Sequence, residues 1–307
     1  MNIKQLKTEQ RNLKTMDIDL LTSEQIVTLI NQEDTLVPNA IAKVIPSIAK
    51  VVDLIVDRIK NGGRLVYVGA GTSGRIGSLD SSECPPTFGI DPSLVVSVIA
   101  GGNQAIFDAA EDVEDNSELG IRDLQALSLN SKDILIGIAA SGRTPYTIGA
   151  LEYGNKVGAI TVALVCSDAS KMEQIAKHTI APIVGPEVIT GSTRMKAGTA
   201  QKLVLNTLST AAMIKLGKVY SNLMVDVQTS NEKLQKRALN NIVMATGASE
   251  EAALQALNVQ KGETKAAILQ LLTDVDPQEV KRLLAAHNGS IRDAIQSTFK
   301  NRKHDEV

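Results

Sequence analysis

In the middle of the chain, short apolar runs alternate with helical stretches, and this alternation constrains the fold more than any other feature. Five such runs occur, at residues 65–68, 94–99, 134–139, 160–165 and 179–184. The fifth is the weakest because it contains Pro182, which has no N–H to donate to a neighbouring strand. Strands that alternate with helices predict a parallel sheet with helices on both faces. We therefore predict an α/β fold with a doubly wound, parallel five-stranded sheet.

Helical patterns precede the predicted sheet. Thr22 and Gln25 have the spacing of a capping box, which predicts a helix over residues 23–34. A second helix is expected from Pro38, a favourable first-turn residue. Pro46 lies inside the apolar pattern of that helix and should kink or divide it.

Helical patterns also follow the sheet. Residues 198–216 predict a long buried helix, and amphipathic segments follow at 249–257, 261–272 and 277–287. These segments predict a compact helical bundle that ends in a polar tail at 300–307. The pattern as a whole divides the chain into an N-terminal helical segment, an α/β ligand-binding domain and a C-terminal helical region, at residues 1–53, 54–217 and 218–307.

Composition excludes several classes of protein. The 307 residues carry a formal net charge of −2 and only 2% aromatic residues, whereas nucleic-acid binding usually needs a basic face and aromatic stacking. Two cysteines and three scattered histidines are too few for a disulfide framework or a zinc site. The polar N-terminus and the short apolar runs predict neither a signal peptide nor a membrane span. We therefore expect a cytoplasmic protein with no nucleic-acid partner, no membrane association and no metal.

Three loops rich in serine, threonine and glycine lead from predicted strand regions into helices. They are Gly69-Ala70-Gly71-Thr72-Ser73-Gly74-Arg75, Ala140-Ser141-Gly142-Arg143-Thr144-Pro145 and Thr190-Gly191-Ser192-Thr193-Arg194-Met195-Lys196. A helix N-terminus offers main-chain N–H groups and the positive end of the helix dipole, which together bind phosphate. Ligands of open parallel sheets lie at the carboxyl ends of the strands. We therefore predict a phosphate site there, formed by Gly71, Thr72, Ser73, Ser141, Gly142, Arg143, Thr144, Ser192 and Thr193.

Glycines 69, 71 and 74 also match the G-x-G-x-x-G pattern of dinucleotide-binding domains. Such domains carry an acidic residue near the end of the next strand, where it binds the ribose. Here the next predicted strand ends in Ala100-Gly101-Gly102, with no acid. Repeated hydroxyl-bearing loops suit a phosphate monoester better than a pyrophosphate. The sequence therefore favours a phosphorylated sugar over a dinucleotide.

Two acidic stretches follow the first loop. Glu83 lies just after the predicted helix, where Pro85 and Pro86 predict a rigid, extended segment. A carboxylate held in this way can act as a general acid. Glu114 lies in the acidic stretch 111–115. Spacing alone does not distinguish either glutamate from an ordinary solvated acid.

Several motifs resemble those of known proteins. The loops around Ser73 and Ser141 resemble the loops of sugar isomerase (SIS) domains. Longer runs are similar to the N-acetylmuramic acid 6-phosphate etherase family, and the similarity extends over nearly the whole chain. They include the three loops above and Arg11-Asn12, Ser82-Glu83-Cys84-Pro85-Pro86, Gly185-Pro186-Glu187-Val188 and Asn231-Glu232-Lys233-Leu234.

The resemblance implies a fold, an activity and a set of partners. It implies an SIS-type sheet over residues 54–217. It also implies cleavage of the lactyl ether of N-acetylmuramic acid 6-phosphate to N-acetylglucosamine 6-phosphate and D-lactate, in cell-wall recycling. The implied substrate is thus a small amino-sugar phosphate, and the implied enzyme is a homodimer with neither a metal nor a redox cofactor.

The resemblance also implies two catalytic glutamates, which match Glu83 and Glu114. Glu114 is preferred over Glu111 because it aligns with the glutamate of the family's Glu-Asp pair. We assign Glu83 to acid–base chemistry at the ether oxygen and Glu114 to proton removal at C2.

One position departs from the wider SIS pattern. Ala139 stands where many sugar-phosphate isomerases have a serine, so other hydroxyls must replace that phosphate ligand.

Two alternative functions stay open. A sugar-phosphate aldose–ketose isomerase would also use a carboxylate at C2, but it would release no D-lactate. A sugar-phosphate sensor would bind its ligand without turnover. The sequence also leaves open whether Lys265 or Glu232 reaches the substrate, and whether the C-terminal bundle binds a protein partner or packs over a dimer.

Overall fold

The computed structural model describes residues 7–108, 112–226 and 232–305. The chain divides into two units. The first comprises Met1–Ser82 and Pro92–Ser209, and the second comprises Glu83–Asp91 and Thr210–Val307. The three-region division at residues 53 and 217 stays a prediction.

The first unit contains a five-stranded sheet. Its strands are β1 (Leu65–Gly69), β2 (Val95–Ile99), β3 (Ile134–Ile138), β4 (Ile160–Leu164) and β5 (His178–Ile180). All pair in parallel, in the order β2-β1-β3-β4-β5. The predicted doubly wound parallel α/β fold is therefore confirmed. The last strand stops before Pro182, in keeping with the missing proline N–H.

Helices precede, connect and follow these strands. In chain order they are α1 (Ser23–Asp34), α2 (Leu36–Ala42), α3 (Ile45–Lys60), α4 (Gly71–Phe88), α5 (Ser117–Ala126), α6 (Pro145–Lys156), α7 (Lys171–Ile175) and α8 (Lys196–Lys215). Short 3-10 turns occur at Lys7–Glu9, Leu13–Thr15, Ile18–Leu20 and Gly102–Ile106. Of the three boundaries between the units, one falls within α4, one between α4 and β2, and one within α8. The long helix predicted after the sheet is confirmed as α8.

The N-terminal helices follow their sequence signals closely. The capping box of α1 is confirmed, since the Thr22 hydroxyl accepts from the Gln25 N–H and the Gln25 side chain accepts from the Thr22 N–H. Pro46 divides the next helical pattern, because α2 ends at Ala42 and α3 begins one residue before the proline. A proline costs little in a first turn, where its missing N–H would have no helical acceptor.

Side chains of β1 alternate between the two faces of the sheet. Val66 and Val68 are fully buried in a cluster with Leu151 of α6. Tyr67 is also fully buried, and its hydroxyl donates to Asp80 of α4 at 2.8 Å. Helices therefore pack on both faces, and the strand-to-helix junctions are left at the carboxyl edge.

Helices α5 and α6 approach each other closely because two glycines face the partner backbone. A Cβ at Gly120 of α5 would lie 2.2 Å from the carbonyl oxygen of Tyr146. A Cβ at Gly149 of α6 would lie 2.3 Å from the carbonyl oxygen of Ser117. Either contact would force the helices apart. This packing fixes the segment just before α5, and Glu114 lies in that segment.

The expectation of an extended segment at Pro85 and Pro86 is wrong. Both prolines lie inside α4, which continues to Phe88. They cannot donate to the carbonyls of Ser81 and Ser82 four residues earlier, so the helix loses two bonds there. Local propensity disfavours the helix at these positions, and tertiary packing overrides it. Glu83 is therefore a helical residue.

The second unit contains a two-stranded ribbon and a helical bundle. The elements are β6 (Val219–Tyr220), β7 (Leu223–Met224), α9 (Glu232–Thr246), α10 (Glu250–Val259), α11 (Thr264–Thr273), α12 (Pro277–Ala286) and α13 (Ile291–Asp305). Helix α11 is central and packs against the other four. It contributes a run of four buried apolar side chains, Ala266, Ala267, Ile268 and Leu269.

The three amphipathic segments predicted in this region are confirmed as α10, α11 and α12. The predicted polar tail differs, because residues from 300 continue α13 as far as Asp305. Within the described residues, no helix combines the length and apolar character that crossing a bilayer requires.

Candidate functional site

The first predicted phosphate loop is a tight junction between β1 and α4. Strand β1 ends at Gly69 and α4 begins at Gly71, so only Ala70 separates them. The Gly74 N–H donates to the Ala70 carbonyl at 3.2 Å. Helix geometry gives the N–H groups of the first turn no acceptor within the helix. Gly71, Thr72 and Ser73 form this turn and therefore present donors suited to an anion.

The glycines of this junction permit a close approach of helix to strand. A Cβ at Gly74 would lie 2.7 Å from the Gly69 carbonyl oxygen and 2.6 Å from the Ile99 side chain. Any side chain there would displace α4 from the sheet. By contrast, Gly71 has a φ of +53° and open space where a Cβ would be. Gly74 is therefore required for packing, whereas the space next to Gly71 is open.

The second loop joins β3 to α6 beside the first. Since Gly69 pairs with Ile138, the two loops follow neighbouring strands at the same edge. Gly142 has a φ of +63°, and a Cβ there would lie 2.5 Å from Ser170. The Gly142 carbonyl also accepts from the Met172 N–H at 3.1 Å. The Thr144 side chain makes no capping bond to α6, so its hydroxyl is not used by the helix.

The third loop meets the first. Ser192 and Thr193 lie in the loop just before α8, and Thr193 is a turn residue. The Gly198 N–H donates to the Thr193 carbonyl, and a Cβ at Gly198 would lie 3.5 Å from the Thr72 side chain. The next residue, Ser73, bonds to the same helix, since its hydroxyl donates to Gln201 Oε1 at 3.0 Å. The structure therefore brings the first and third predicted loops together.

Glu114 is held next to the second loop. Its side chain is exposed, and its carbonyl oxygen accepts from the Tyr146 N–H at 3.0 Å in the first turn of α6. The Tyr146 hydroxyl in turn donates to Asp123 of α5 at 2.6 Å. Burial and this bond raise the pKa of Tyr146 well above its ordinary value. Glu111, the weaker candidate, lies outside the described residues.

Glu83 occupies the C-terminal half of α4, and its side chain is exposed. Its neighbour Cys84 is buried. An exposed carboxylate is accessible to a substrate, but exposure alone does not assign chemistry. The catalytic roles of Glu83 and Glu114 both stay predictions.

Arg143 lines a cleft that the sequence did not reveal. Its other lining residues are Ala169, Lys171 and Gln174, and its volume is about 460 Å³. Two cationic side chains in one cleft favour an anionic ligand. No sequence motif indicates Lys171, because Arg143, the other cation of the cleft, is 28 positions away in the sequence.

The described residues contain no metal cluster, and Cys166 is not a reactive thiol. Over 7–108, 112–226 and 232–305, no three His, Cys, Asp or Glu side chains are grouped to hold a metal ion. Burial raises the pKa of the Cys166 thiol to about 12, so this cysteine is a poor nucleophile. That the protein needs no metal or cofactor stays a prediction.

The chain matches two domain families. The glucokinase regulatory protein N-terminal SIS domain family matches residues 47–155, and the SIS domain family matches residues 106–211. Together these matches cover the sheet and the three loops. A solved phosphoheptose isomerase from Francisella tularensis is 19% identical, covers 63% of this chain and 100% of its own, and has a TM-score of 0.49. That likeness is too weak to carry an argument.

Full-length relatives are far more similar. An N-acetylmuramic acid 6-phosphate etherase of Caldanaerobacter subterraneus subsp. tengcongensis is 56% identical over 96% of this chain and 97% of its own. One of Aliivibrio fischeri (strain MJ11) is 55% identical over 94% of this chain and 97% of its own. This chain belongs to the N-acetylmuramic acid 6-phosphate etherase family. The resemblance carried by the sequence motifs is therefore confirmed.

Three motifs of this chain meet in one buried network. Lys196 and Glu33 are almost fully buried and form an ion pair of 2.6 Å. The Asn12 side chain donates to Glu33 at 2.9 Å. The Glu187 carboxylate accepts from the N–H groups of Lys196 and Ala197 and thereby caps α8. These motif residues therefore hold the third loop and the start of α8 in place.

The network shifts the pKa values of both glutamates. Burial by itself raises the pKa of Glu33, but the hydrogen bonds from Lys196, Lys14 and Asn12 reverse this and hold it below its ordinary value. Burial raises the pKa of Glu187, and its two main-chain hydrogen bonds offset this only in part. None of these residues was predicted from the sequence as part of one cluster.

Lys265 and Glu232, left open above, have protein partners in the second unit. Lys265 donates to Asp226 at 2.8 Å and to the Gly217 carbonyl at 3.0 Å. Burial lowers the pKa of Lys265, and the charge of Asp226 opposes this. Glu232 is exposed and pairs with Lys236 along α9. These contacts are structural and assign neither residue to the substrate.

The Lys196→Ala variant should lose about 3–5 kcal/mol of unfolding free energy at neutral pH, because it leaves the Glu33 carboxylate buried without its main cation. Urea unfolding measures this loss. The hydrogen bonds from Lys196, Lys14 and Asn12 hold the folded pKa of Glu33 below its ordinary value, so the wild-type stabilisation is lost as the pH falls through that folded value. The deficit of the variant should therefore shrink as the pH is lowered and Glu33 becomes protonated.

Lys14→Ala is the matched control. Lys14 pairs with the same carboxylate at 3.1 Å, but its side chain is 68% exposed. It should lose at most about 1 kcal/mol. Equal losses for the two variants would contradict the importance of the buried pair.

Proposed function

We propose that this protein cleaves the D-lactyl ether of N-acetylmuramic acid 6-phosphate and releases N-acetylglucosamine 6-phosphate and D-lactate. The family relationship supports this substrate directly. The structure supports the phosphate end of it through the first turn of α4, where Gly71, Thr72 and Ser73 present donors at the carboxyl edge of the sheet. That helix start is the observation on which the proposal depends.

We propose that the remaining predicted phosphate residues complete this site. The Thr193 carbonyl accepts from the Gly198 N–H at the start of α8, which lies beside Thr72, and Ser141 to Thr144 follow the neighbouring strand. Ala139 supplies no hydroxyl, so we propose that Ser73, Ser141 and Thr144 provide the side-chain donors. Arg143 adds a positive charge that favours a dianion.

The reaction requires an acidic C–H bond, because the alkoxide leaving group of an unactivated ether is strongly basic. Opening the sugar ring provides it, since C2 is then adjacent to the C1 aldehyde. Glu114 removes the C2 proton, and Glu83 protonates the lactyl oxygen as the C3–O bond breaks. Water then adds to the C2–C3 double bond at C3, and a proton returns to C2. Only acid–base groups are needed.

Each proton transfer of this kind contributes about 10²–10⁴-fold to the rate. Positioning supplies much of the remainder, because an open-chain sugar is flexible until its phosphoryl group is held. The proposed phosphate site and the α5–α6 packing that holds Glu114 serve this role. A homodimer, a cytoplasmic location and a role in cell-wall recycling remain part of the proposal.

The names of the relatives favour this function over the two alternatives. An isomerase would return a ketose and release no lactate. A sensor would bind without turnover, and no observation in the described residues favours it over an enzyme.

Incubation with N-acetylmuramic acid 6-phosphate in ¹⁸O-labelled water should release D-lactate without label and place ¹⁸O at C3 of the sugar product. The reason is that water replaces the lactyl oxygen on the sugar carbon. Mass spectrometry of both products measures this. Label in lactate would show that the bond between the ether oxygen and the lactyl carbon breaks, and no lactate would exclude the function.

Glu83→Ala should release lactate at least about 10²-fold more slowly than the wild type, because it lacks the acid at the ether oxygen. Its binding of N-acetylglucosamine 6-phosphate should stay close to wild type, as calorimetry can measure. Glu118→Ala, which removes an exposed carboxylate from the first turn of α5, serves as the control. Lactate release by Glu83→Ala at near wild-type rate would overturn its assignment.

A further inference from the structure

A buried amide next to the proposed phosphate site lacks a partner. Gln201 lies in α8, and its side chain is 1% exposed. Its Oε1 accepts a hydrogen bond from the Ser73 hydroxyl at 3.0 Å. Its Nε2 is buried and has no hydrogen-bond partner among the described residues. An unsatisfied buried donor of this kind costs stability and calls for an explanation.

The bond to Gln201 also restricts what Ser73 can do. A serine hydroxyl has one proton, and here that proton is directed to Gln201 Oε1. A phosphate dianion has only acceptor oxygens. While Gln201 holds the proton, the Ser73 hydroxyl can offer a phosphate nothing but lone pairs, which repel it.

A half-turn of the Gln201 amide removes the restriction on Ser73 and moves the unpaired position from Nε2 to Oε1. It exchanges the positions of Oε1 and Nε2. Nε2 then lies where Oε1 now lies, 3.0 Å from Ser73 Oγ, and donates to it. The hydroxyl proton of Ser73 is then released to donate to a phosphate oxygen. The same rotation gives Nε2 the partner that it lacks.

We infer that Gln201 is a positioning residue for the phosphoryl group: its side-chain amide turns over when the ligand binds and directs the Ser73 hydroxyl proton to a phosphate oxygen. This inference rests on the proposed function, in which the phosphoryl group lies at the first turn of α4. Gln201 acts through Ser73, since its own polar atoms are buried. The pair thereby favours a ligand group that only accepts hydrogen bonds.

Gln201→Glu tests this rotation. The new carboxylate keeps the side-chain shape, but when ionised it can only accept, so it holds the Ser73 proton permanently. Calorimetry with N-acetylglucosamine 6-phosphate should show affinity at least about ten-fold below wild type at neutral pH. When the introduced carboxyl is protonated at lower pH, it donates as the amide does. The affinity relative to wild type should therefore recover as the pH falls.

Two further variants separate positioning from packing and from charge. Gln201→Met removes both donor and acceptor and leaves the Ser73 proton unclaimed, so it should lose less affinity than Gln201→Glu. Lys202→Gln changes the net charge by the same unit at an exposed neighbouring position, and should bind as the wild type does. In a Ser73→Ala background, Gln201→Met should cause no further loss, because the residue through which Gln201 acts is gone.

Turnover provides a second readout. Loss of the phosphoryl group's positioning should raise KM for N-acetylmuramic acid 6-phosphate, and it should also lower kcat to the extent that this positioning orders the flexible sugar. A purely structural role would lower the amount of folded enzyme, and therefore the apparent kcat, with no change in KM.

The outcomes are distinct. Equal affinity losses for Gln201→Glu and Gln201→Met at every pH, or a Gln201→Met loss that adds fully to that of Ser73→Ala, would overturn the inference and leave the proposed function intact. If the wild-type protein neither binds N-acetylglucosamine 6-phosphate nor releases lactate, the proposed function itself fails, and the inference fails with it.

Discussion

The proposed chemistry depends first on the close approach of α4 to the end of β1. Gly69 and Gly74 permit this contact, since a Cβ at either position would lie within 3 Å of main-chain or side-chain atoms. With the helix seated in this way, the N–H groups of its first turn point to the carboxyl edge of the sheet. The start of α8 then packs beside Thr72 and bonds Ser73 through Gln201. The proposed phosphate site therefore consists of main-chain N–H groups and hydroxyls, with a charge added at Arg143.

The sequence predicted the parallel sheet because strand and helix periodicities are local signals. Each apolar run has a length that suits a buried strand, and each is followed by turn residues that end it. The capping box at Thr22 and the division at Pro46 were predictable for the same reason. The extended segment predicted at Pro85 and Pro86 was wrong, because the packing of α4 overrides the local preference of these prolines for extended backbone. Local rules do not contain that packing.

Long-range contacts could not be predicted from one sequence. Lys196 and Glu33 are 163 positions apart, and nothing in either segment indicates a buried partner. Gln201 looks like an ordinary helical residue until its contact with Ser73 is seen. The family resemblance indicated that these stretches matter, but only the structure gives the physical reason. One buried ion pair and one helix cap hold the third loop where it meets the first.

Binding of the reaction product tests the central claim most directly. A crystal structure of the protein with N-acetylglucosamine 6-phosphate should place the phosphoryl group at the first turn of α4. Its oxygens should then lie within hydrogen-bond distance of main-chain N–H groups and of the Ser73 hydroxyl. A phosphoryl group bound in the cleft of Arg143 and Lys171, with the first turn of α4 unoccupied, would contradict the account.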